Sequence, residues 1–225
     1  MVRLNRDLLC ESLGLETSRL IIPHQVHGAR VRRIDEAFFM QTDAVKAATL
    51  EGVDAVMTDV PKVCVSVSTA DCIPILIYDR VHHAVAAVHA GWRSTVLRIS
   101  EAVLQAMADA YGTRPQDVEA AIGPGISLEA FEVGDEVYEA FRMAGFPMEK
   151  IARRYPATGD GSGRMEKWHL DLWQANRGLL EGCGVPSARI HLAGVCTYLH
   201  SERFFSARRL GIRSGRILNG IFLTD

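Results

Sequence analysis

Residues 62–95 read KVCVSVSTADCIPILIYDRVHHAVAAVHAGWRST and contain three short apolar runs, each followed by polar side chains. In the first run, residues 63–67, valine alternates with small polar residues, which predicts a half-buried strand. The second run covers 73–78, where Pro74 favours an edge strand or a bulge. The third covers 84–88. The stretch therefore predicts a sheet of several strands as the centre of the fold.

Reactive side chains stand at the ends of these runs. Asp71 and Cys72 lie between the first two, and the third leads into the sequence HAGWR, which begins at His89 and ends at Arg93. Side chains at strand ends are held by a rigid sheet, which is typical of functional sites. Beyond this site the apolar spacing of residues 94–111 predicts one helix.

The overall composition narrows the class of protein. The chain has 225 residues, a net charge of −2 and 48% hydrophobic residues, which predicts a single domain over 1–225. Neither a basic face nor an apolar run of membrane-spanning length occurs, so we expect no nucleic-acid or membrane partner. The N-terminus lacks a signal-peptide core and the five cysteines are scattered, so we expect a cytoplasmic protein with reduced thiols.

Strands and helices follow one another without strict βαβ alternation, which favours an α+β domain with mixed sheets covered by helices. The other predicted helices cover 4–13, 135–144 and a segment opening at Asp171; the other predicted strands lie at 19–22, near Val31, and at 54–59, 118–122, 190–195 and 215–223, with a flexible loop at 157–165.

Three residues form a candidate metal site. His24 and His27 are three apart, and on a strand they face opposite ways, so at most one reaches a shared site. Gly28 beside it favours His27, although a surface or hydrogen-bonded core histidine is the alternative. His27, Cys72 and His89 each end an apolar run. Two imidazoles and one thiolate, with the fourth position open, suit a catalytic Zn²⁺.

The motifs QVHG around His27, TADCIP around Cys72 and VHAGWR around His89 closely resemble the signature motifs of the YfiH-like laccase-domain family. Its members are also described as multicopper polyphenol oxidases or as purine nucleoside phosphorylases. Further similar segments lie at 52–59, 121–126, 168–172 and 204–209, so the resemblance covers nearly the whole chain.

The resemblance implies an α/β/β/α layered fold, with zinc on His27, Cys72 and His89. It implies cleavage of purine nucleosides by phosphate, with adenosine, inosine and methylthioadenosine as substrates and adenosine deamination as a side activity. Family members usually carry a further segment before the first helix. This chain begins near that helix, at Asn5 and Arg6, so we expect that segment to be missing.

Phosphorolysis requires an anion pocket near the ribose. Arginine forks match phosphate oxygens, so Arg93, Arg208 and Arg209 are candidates, although each is equally typical of a solvated surface. The loop from Gly123 to Gly125 is a candidate source of backbone N–H donors, or simply a turn.

Among acidic residues, Asp71 is the candidate for orienting a metal ligand or moving a proton.

Three other functions stay open. His₂Cys also suits copper, which predicts a polyphenol oxidase. A metal-free hydrolase would use Cys72 as nucleophile and His89 as base. The last alternative is a non-catalytic nucleoside-binding module.

Overall fold

The structure is a computed structural model in which residues 2–156 and 166–224 are described, so the loop predicted at 157–165 lies outside the described residues. The α-helices are α1 (Val2–Leu13), α2 (Glu36–Phe39), α3 (Asp43–Leu50), α4 (Trp92–Val96), α5 (Ile99–Tyr111), α6 (Asp135–Met143), α7 (Met148–Ile151), α8 (Leu172–Gly182) and α9 (Ala207–Leu210). The strands are β1 (Leu20–Ile21), β2 (Val31–Arg33), β3 (Ala55–Thr58), β4 (Cys64–Thr69), β5 (Ile73–Asp79), β6 (Ala84–Ala90), β7 (Val118–Ile122), β8 (Glu132–Val133), β9 (Ala152–Pro156), β10 (Glu166–Leu170), β11 (Ile190–Leu192) and β12 (Ile217–Ile221).

The largest sheet has six strands in the order β11-β7-β5-β6-β3-β2. Its four central strands pair antiparallel, and both edge strands pair parallel to their neighbours. β5 and β6 are the second and third apolar runs of the stretch 62–95, and nearly all of their side chains are buried. The sheet predicted from that stretch is therefore confirmed.

The prediction that Pro74 marks an edge strand or a bulge is wrong, because β5 lies between β7 and β6 and pairs with β6 in unbroken register. Its hydrogen-bonded ladder with β7 begins where Ile75 faces Ile122, one residue after Pro74. The carbonyl of Pro74 accepts from Gly123 N at 2.9 Å. In an antiparallel strand the N and O of one residue point to the same neighbour, so the missing N–H of Pro74 faces the end of β7. A proline is tolerated there in a central strand.

A second sheet has the order β1-β4-β12, with β4 parallel to β1 and antiparallel to β12. The valines of the first apolar run share one buried cluster with Val56 and Val85 of the large sheet, so the two sheets pack face to face. The predicted half-burial of β4 is wrong, because its opposite face is also covered. Cys10 of α1 is buried there near Cys64.

Helices α5 and α8 cover the other face of the large sheet. Ile99, Val103 and Met107 of α5 recur at helical spacing, and they are buried in the same cluster as Leu179 of α8 and Ile75 of β5. The order of layers is thus α1, small sheet, large sheet, then α5 and α8, which confirms the mixed α/β/β/α arrangement. A third, antiparallel sheet has the order β8-β10-β9. No helix in the described part of the chain has both the length and the apolar character needed to cross a membrane.

The single helix predicted at 94–111 is two helices, α4 and α5. They are separated at Arg98, whose left-handed backbone (φ 59°) stops one helix before the next begins. The Arg98 guanidinium donates to Glu101 at 2.6 Å and to the carbonyl of Ala144 at 3.0 Å, which holds the turn. Both helices bury apolar residues against the same core, so the spacing in the sequence hides the break.

Candidate metal centre

The three predicted metal ligands meet at the ends of neighbouring elements. In the pairing of β5 with β6, Ile73 faces Ala90. Cys72 precedes β5 and His89 is the penultimate residue of β6, so this register brings them together. His27 reaches the same place from the loop after β1, with a left-handed backbone (φ 62°).

The spacing of the donor atoms fits a metal ion. Cys72 Sγ lies 3.8 Å from His27 Nε2, and the donor atoms of His27, Cys72 and His89 all lie within 4.8 Å of one another. Ligands about 2.1 and 2.3 Å from zinc at the tetrahedral angle are about 3.6 Å apart. His89 is buried and His27 is exposed, so the group opens towards solvent on the His27 side.

A buried carboxylate orients two of these ligands. Asp54, directly before β3, accepts from His89 Nδ1 at 2.8 Å and from His27 N at 2.9 Å. Its other oxygen accepts from the backbone N–H groups of Val26 and Gly28 at 3.2 and 2.7 Å. A carboxylate on Nδ1 leaves Nε2 of His89 to face a metal. Asp54 was not among the site residues predicted from the sequence, although its position before a buried strand was the available signal.

The electrostatics favour a thiolate. Burial raises the pKa of the Cys72 thiol. The hydrogen bonds from His27 and His89 and the charges on both rings lower it by more, so the resulting pKa is about 6. Burial lowers the pKa of His89, whereas its bonds to Asp54 and Cys72 raise it to about 9. Without a metal, the pair is therefore thiolate and imidazolium at neutral pH, and metal binding releases the imidazolium proton.

Two contacts fix the ligand loops. A Cβ on Gly91 would lie 2.9 Å from His27 Cδ2 and 3.0 Å from Cys72 Sγ, so the ligands leave room only for glycine. Gln25 Nε2 donates to the carbonyl of Ser68 at 2.9 Å, and Ser68 N donates to Gln25 Oε1 at 2.8 Å. This side-chain amide pairs with β4 as a neighbouring strand would. Gln25 was also missed, since nothing local indicates its distant partner.

Asp71 lies beside Cys72, but its carboxylate is engaged elsewhere. One oxygen accepts from the Thr197 hydroxyl and the other from Arg208 N, both at 2.7 Å. The residue is buried and has a left-handed backbone (φ 88°). It therefore joins the chain segments that carry Cys72, Thr197 and Arg208. We expected Asp71 to orient a metal ligand or to move a proton; the carboxylate bonded to the ring of His89 is Asp54.

The loop expected to bind phosphate uses its N–H groups internally. Gly123 N donates to the carbonyl of Pro74 at 2.9 Å, and Gly125 N donates to the carbonyl of Val195 at 3.2 Å. The expectation of free N–H donors at these two glycines is therefore wrong. A Cβ on Gly125 would clash with the side chain of Ile73. Close packing explains this glycine.

The three candidate phosphate-binding arginines are exposed. Arg93 lies over the ring of Trp92 at 4.3 Å, and Arg209 lies over Tyr198 at 5.2 Å. Arg208 donates to a backbone carbonyl of β8 at 2.9 Å. Arg208 also lies over the ring of Phe131 at 5.5 Å, and Arg209 also donates to the Tyr198 hydroxyl at 3.3 Å. All three guanidinium groups remain accessible to an anion from solvent.

His24 lies outside this group: its Nδ1 is 2.8 Å from Glu51 on the exposed surface. The sequence model of a family described as multi-copper polyphenol oxidoreductase laccase matches residues 1–224. The chain belongs to this family.

Relatives of this laccase-family chain carry enzyme names. A purine nucleoside phosphorylase of Bacteroides thetaiotaomicron is 48% identical over 222 residues, which cover 99% of this chain and 80% of the relative. The adenosine deaminase RL5 of an unknown prokaryotic organism is 44% identical over 217 residues, or 96% of this chain and 80% of the relative.

Solved laccase-family structures share the fold. YlmD from Geobacillus stearothermophilus superposes with a TM-score of 0.83 at 31% identity, covering 98% of this chain and 79% of that one. YfiH from Bacillus licheniformis superposes with a TM-score of 0.84 at 28% identity, covering 97% and 79%.

Proposed function

We propose that this chain is a zinc-dependent purine nucleoside phosphorylase acting on adenosine, inosine and methylthioadenosine, with adenosine deamination as a side activity. The observation that carries the proposal is the group of His27, Cys72 and His89, whose donor atoms lie within 4.8 Å of one another. Relatives named purine nucleoside phosphorylase and adenosine deaminase support the substrate class.

The donor set supports zinc over a copper cluster. One thiolate and two imidazoles form a ligand set typical of catalytic zinc, and a bound zinc ion supplies a Lewis acid and lowers the pKa of a coordinated water. Within residues 2–156 and 166–224, one group of three such donors occurs. A multicopper oxidase needs several histidine-rich copper sites, so polyphenol oxidation is the weaker alternative.

In this proposal, each residue near the metal has a separate role. Asp54 holds His89 and the His27 backbone, so the ligands are oriented before substrate arrives. The open side near His27 receives the nucleoside. Asp71 positions the start of α9 through Arg208 N, and we assign it this role because both of its oxygens are engaged.

In this proposal, the exposed guanidinium groups of Arg93, Arg208 and Arg209 are the candidates that bind phosphate. Their planar N–H pairs match two phosphate oxygens at once, and their charge stabilises the anion beside the ribose. Substituting any one of them by lysine keeps the charge and removes the bidentate geometry, so we expect a higher KM for phosphate with little change in zinc content.

The test combines metal analysis with product analysis. Protein purified without added metal is assayed for zinc and copper, then incubated with adenosine or inosine, with and without phosphate. We expect zinc, and ribose 1-phosphate with free base only when phosphate is present. Free base in equal amounts without phosphate would establish a hydrolase, and copper with phenol oxidation would establish the oxidase.

Cysteine variants test the ligand assignment. Cys72→Ala is expected to lose zinc and product formation while keeping the thermal unfolding transition. Cys183→Ala is the matched control, because this partly buried thiol lies outside the centre. Full zinc occupancy in Cys72→Ala would refute the assignment.

One observation favours a second candidate, the metal-free cysteine hydrolase. Cys72 Sγ lies 3.8 Å from His27 Nε2, and the pKa of Cys72 is lowered to about 6 after burial is outweighed by both histidines. This is the arrangement of an activated nucleophile. Full activity after removal of metal by a chelator, and its loss on thiol alkylation, would select this candidate.

A further inference from the structure

We infer that a cavity between α1 and the outer face of the β1-β4-β12 sheet binds the purine base of the substrate. The cavity has a volume of about 610 Å³, which is within the usual range for small-molecule sites. Its apolar floor is formed by Leu9 of α1, Ile22 and Leu218 of β12. The identity of the ligand rests on the proposed function; the cavity itself was not part of the predicted site.

One wall is an aromatic ring with a free face. A Cβ on Gly215 would lie 2.6–2.7 Å from three atoms of the Phe205 ring, Cζ, Cε1 and Cε2. Nearly equal distances to three ring atoms place the ring face, not its edge, against Gly215. Phe205 is nevertheless 46% exposed. The uncovered face is a platform on which a flat base stacks.

The glycine turn behind the ring is held in place. The guanidinium of Arg216 donates to the carbonyls of Ser214 and Gly215 at 2.7 and 3.0 Å, and to the carbonyl of Ile212 at 3.1 Å. Phe205 therefore rests on a braced backbone. A preorganised platform loses little conformational entropy when a ligand stacks on it.

The side chains of Asn5 and Arg6 supply hydrogen-bond donors at the cavity. Asn5 and Arg6 stand on the exposed surface of α1 at the cavity. Among the described residues, neither side chain has a hydrogen-bond or ion-pair partner. Within the described part of the chain, no carboxylate lines the cavity. The edge of a purine carries several acceptor atoms, which donors of this kind complement, and Arg6 adds the attraction of a cation to a π system.

Short chain segments connect the cavity lining to the candidate metal ligands. Ser68 lines the cavity and is bonded to Gln25, two residues before His27. Cys72 follows Ser68 by four residues, at most about 14 Å of extended chain. Arg208, three residues after Phe205, donates its backbone N–H to Asp71, the residue before Cys72. We therefore place the ribose of a nucleoside stacked on Phe205 on the side of the cavity nearest Cys72.

Binding of adenine and of adenosine, measured by isothermal titration calorimetry, tests the placement. Phe205→Ala is expected to raise the Kd of both ligands about 5- to 150-fold, which is the loss of the stacking of one base on an aromatic ring. Phe205→Trp should stay within about threefold of the parent, since it keeps a stacking face. Gly215→Ala should weaken binding as well, because the added Cβ displaces the ring. Ile212→Ala is the control: this side chain is 82% exposed on the same loop and lies outside the cavity lining.

Turnover separates this inference from the proposed function. If phosphorolysis occurs, Phe205→Ala should raise the KM for adenosine and leave the KM for phosphate unchanged, because a base contact is made equally in the ground and transition states. Product formation with unchanged nucleoside KM in Phe205→Ala overturns the inference and leaves the phosphorylase intact. Phe205-dependent binding of adenine without any ribose 1-phosphate supports the cavity and refutes the phosphorylase. Absence of adenine binding to the parent protein also overturns the inference.

Discussion

The Asp54→Asn variant tests the hydrogen bonds that hold the metal centre, because it replaces a single carboxylate oxygen by an NH₂ group. The parent carboxylate is fully buried and accepts four hydrogen bonds, from Val26 N, His27 N, Gly28 N and His89 Nδ1. Burial raises the pKa of Asp54, but the bonds from His89, Gly28 and Val26 lower it below its usual value, so the carboxylate is ionised at neutral pH. An asparagine keeps one acceptor oxygen and turns an NH₂ group towards the remaining donors.

The expected magnitude follows from those contacts. Two of the four bonds are lost, and each bond to a charged group contributes about 1.5–3 kcal/mol, so Asp54→Asn should lower the free energy of unfolding by about 3–6 kcal/mol. A single domain has about 5–15 kcal/mol in total, so the variant should still fold at low temperature. Loss of the carboxylate behind a metal-binding histidine typically weakens metal affinity about 10- to 100-fold.

Two assays measure these effects. Urea unfolding of metal-free protein, followed by circular dichroism, gives the free energy of unfolding, and competition with a chromophoric chelator gives the zinc Kd. Asp59→Asn is the matched control, because this partly exposed carboxylate follows the same strand and pairs with Arg33 at 3.3 Å. It should change stability by less than about 1 kcal/mol. A zinc Kd within threefold of the parent, with a urea midpoint equal to that of the control, would refute the role of Asp54.

Three smaller changes test other contacts. Gly91→Ala places a Cβ 2.9 Å from His27 Cδ2 and 3.0 Å from Cys72 Sγ, so the zinc Kd in the chelator assay should rise at least about tenfold, and an unchanged Kd contradicts the packing. Gln25→Ala removes three hydrogen bonds to Ser68 of β4 and should cost about 1.5–4.5 kcal/mol in urea unfolding. A midpoint equal to the parent's would show that the pairing contributes nothing. Asp79 is fully buried, and although burial raises its pKa, hydrogen bonds including those from His82 and Val81 N lower it overall. Its stabilisation is therefore present above the unfolded pKa of about 3.9 and is lost as pH falls through the lower folded value. Asp79→Asn should be less stable than the parent by about 1–3 kcal/mol at pH 7, and the gap in urea unfolding should narrow towards pH 3, whereas a gap independent of pH would exclude the carboxylate as its cause.

The sequence predicted some strands and helices correctly and others incorrectly. The alternating valines of 63–67 and the run at 84–88 identified two strands, and the apolar spacing of 94–111 located the end of α5 at Tyr111. The edge assignment of β5 failed, because Pro74 reports only its own missing N–H and not which strands flank it. Two helices were merged for a related reason: a left-handed residue such as Arg98 leaves no mark in the apolar periodicity.

Side-chain chemistry and local periodicity lie in the chain itself, so the sequence by itself determined the strands of the core and the ligand types His27, Cys72 and His89. Only the tertiary structure decided which hydrogen-bonding partners those residues meet. Asp54 accepts a hydrogen bond from His89, and Asp71 accepts from Thr197 and Arg208. The N–H groups of Gly123 and Gly125 donate to neighbouring carbonyls. The physical reason is that a buried polar group takes whichever partner the packing brings near, and that partner lies tens of residues away along the chain.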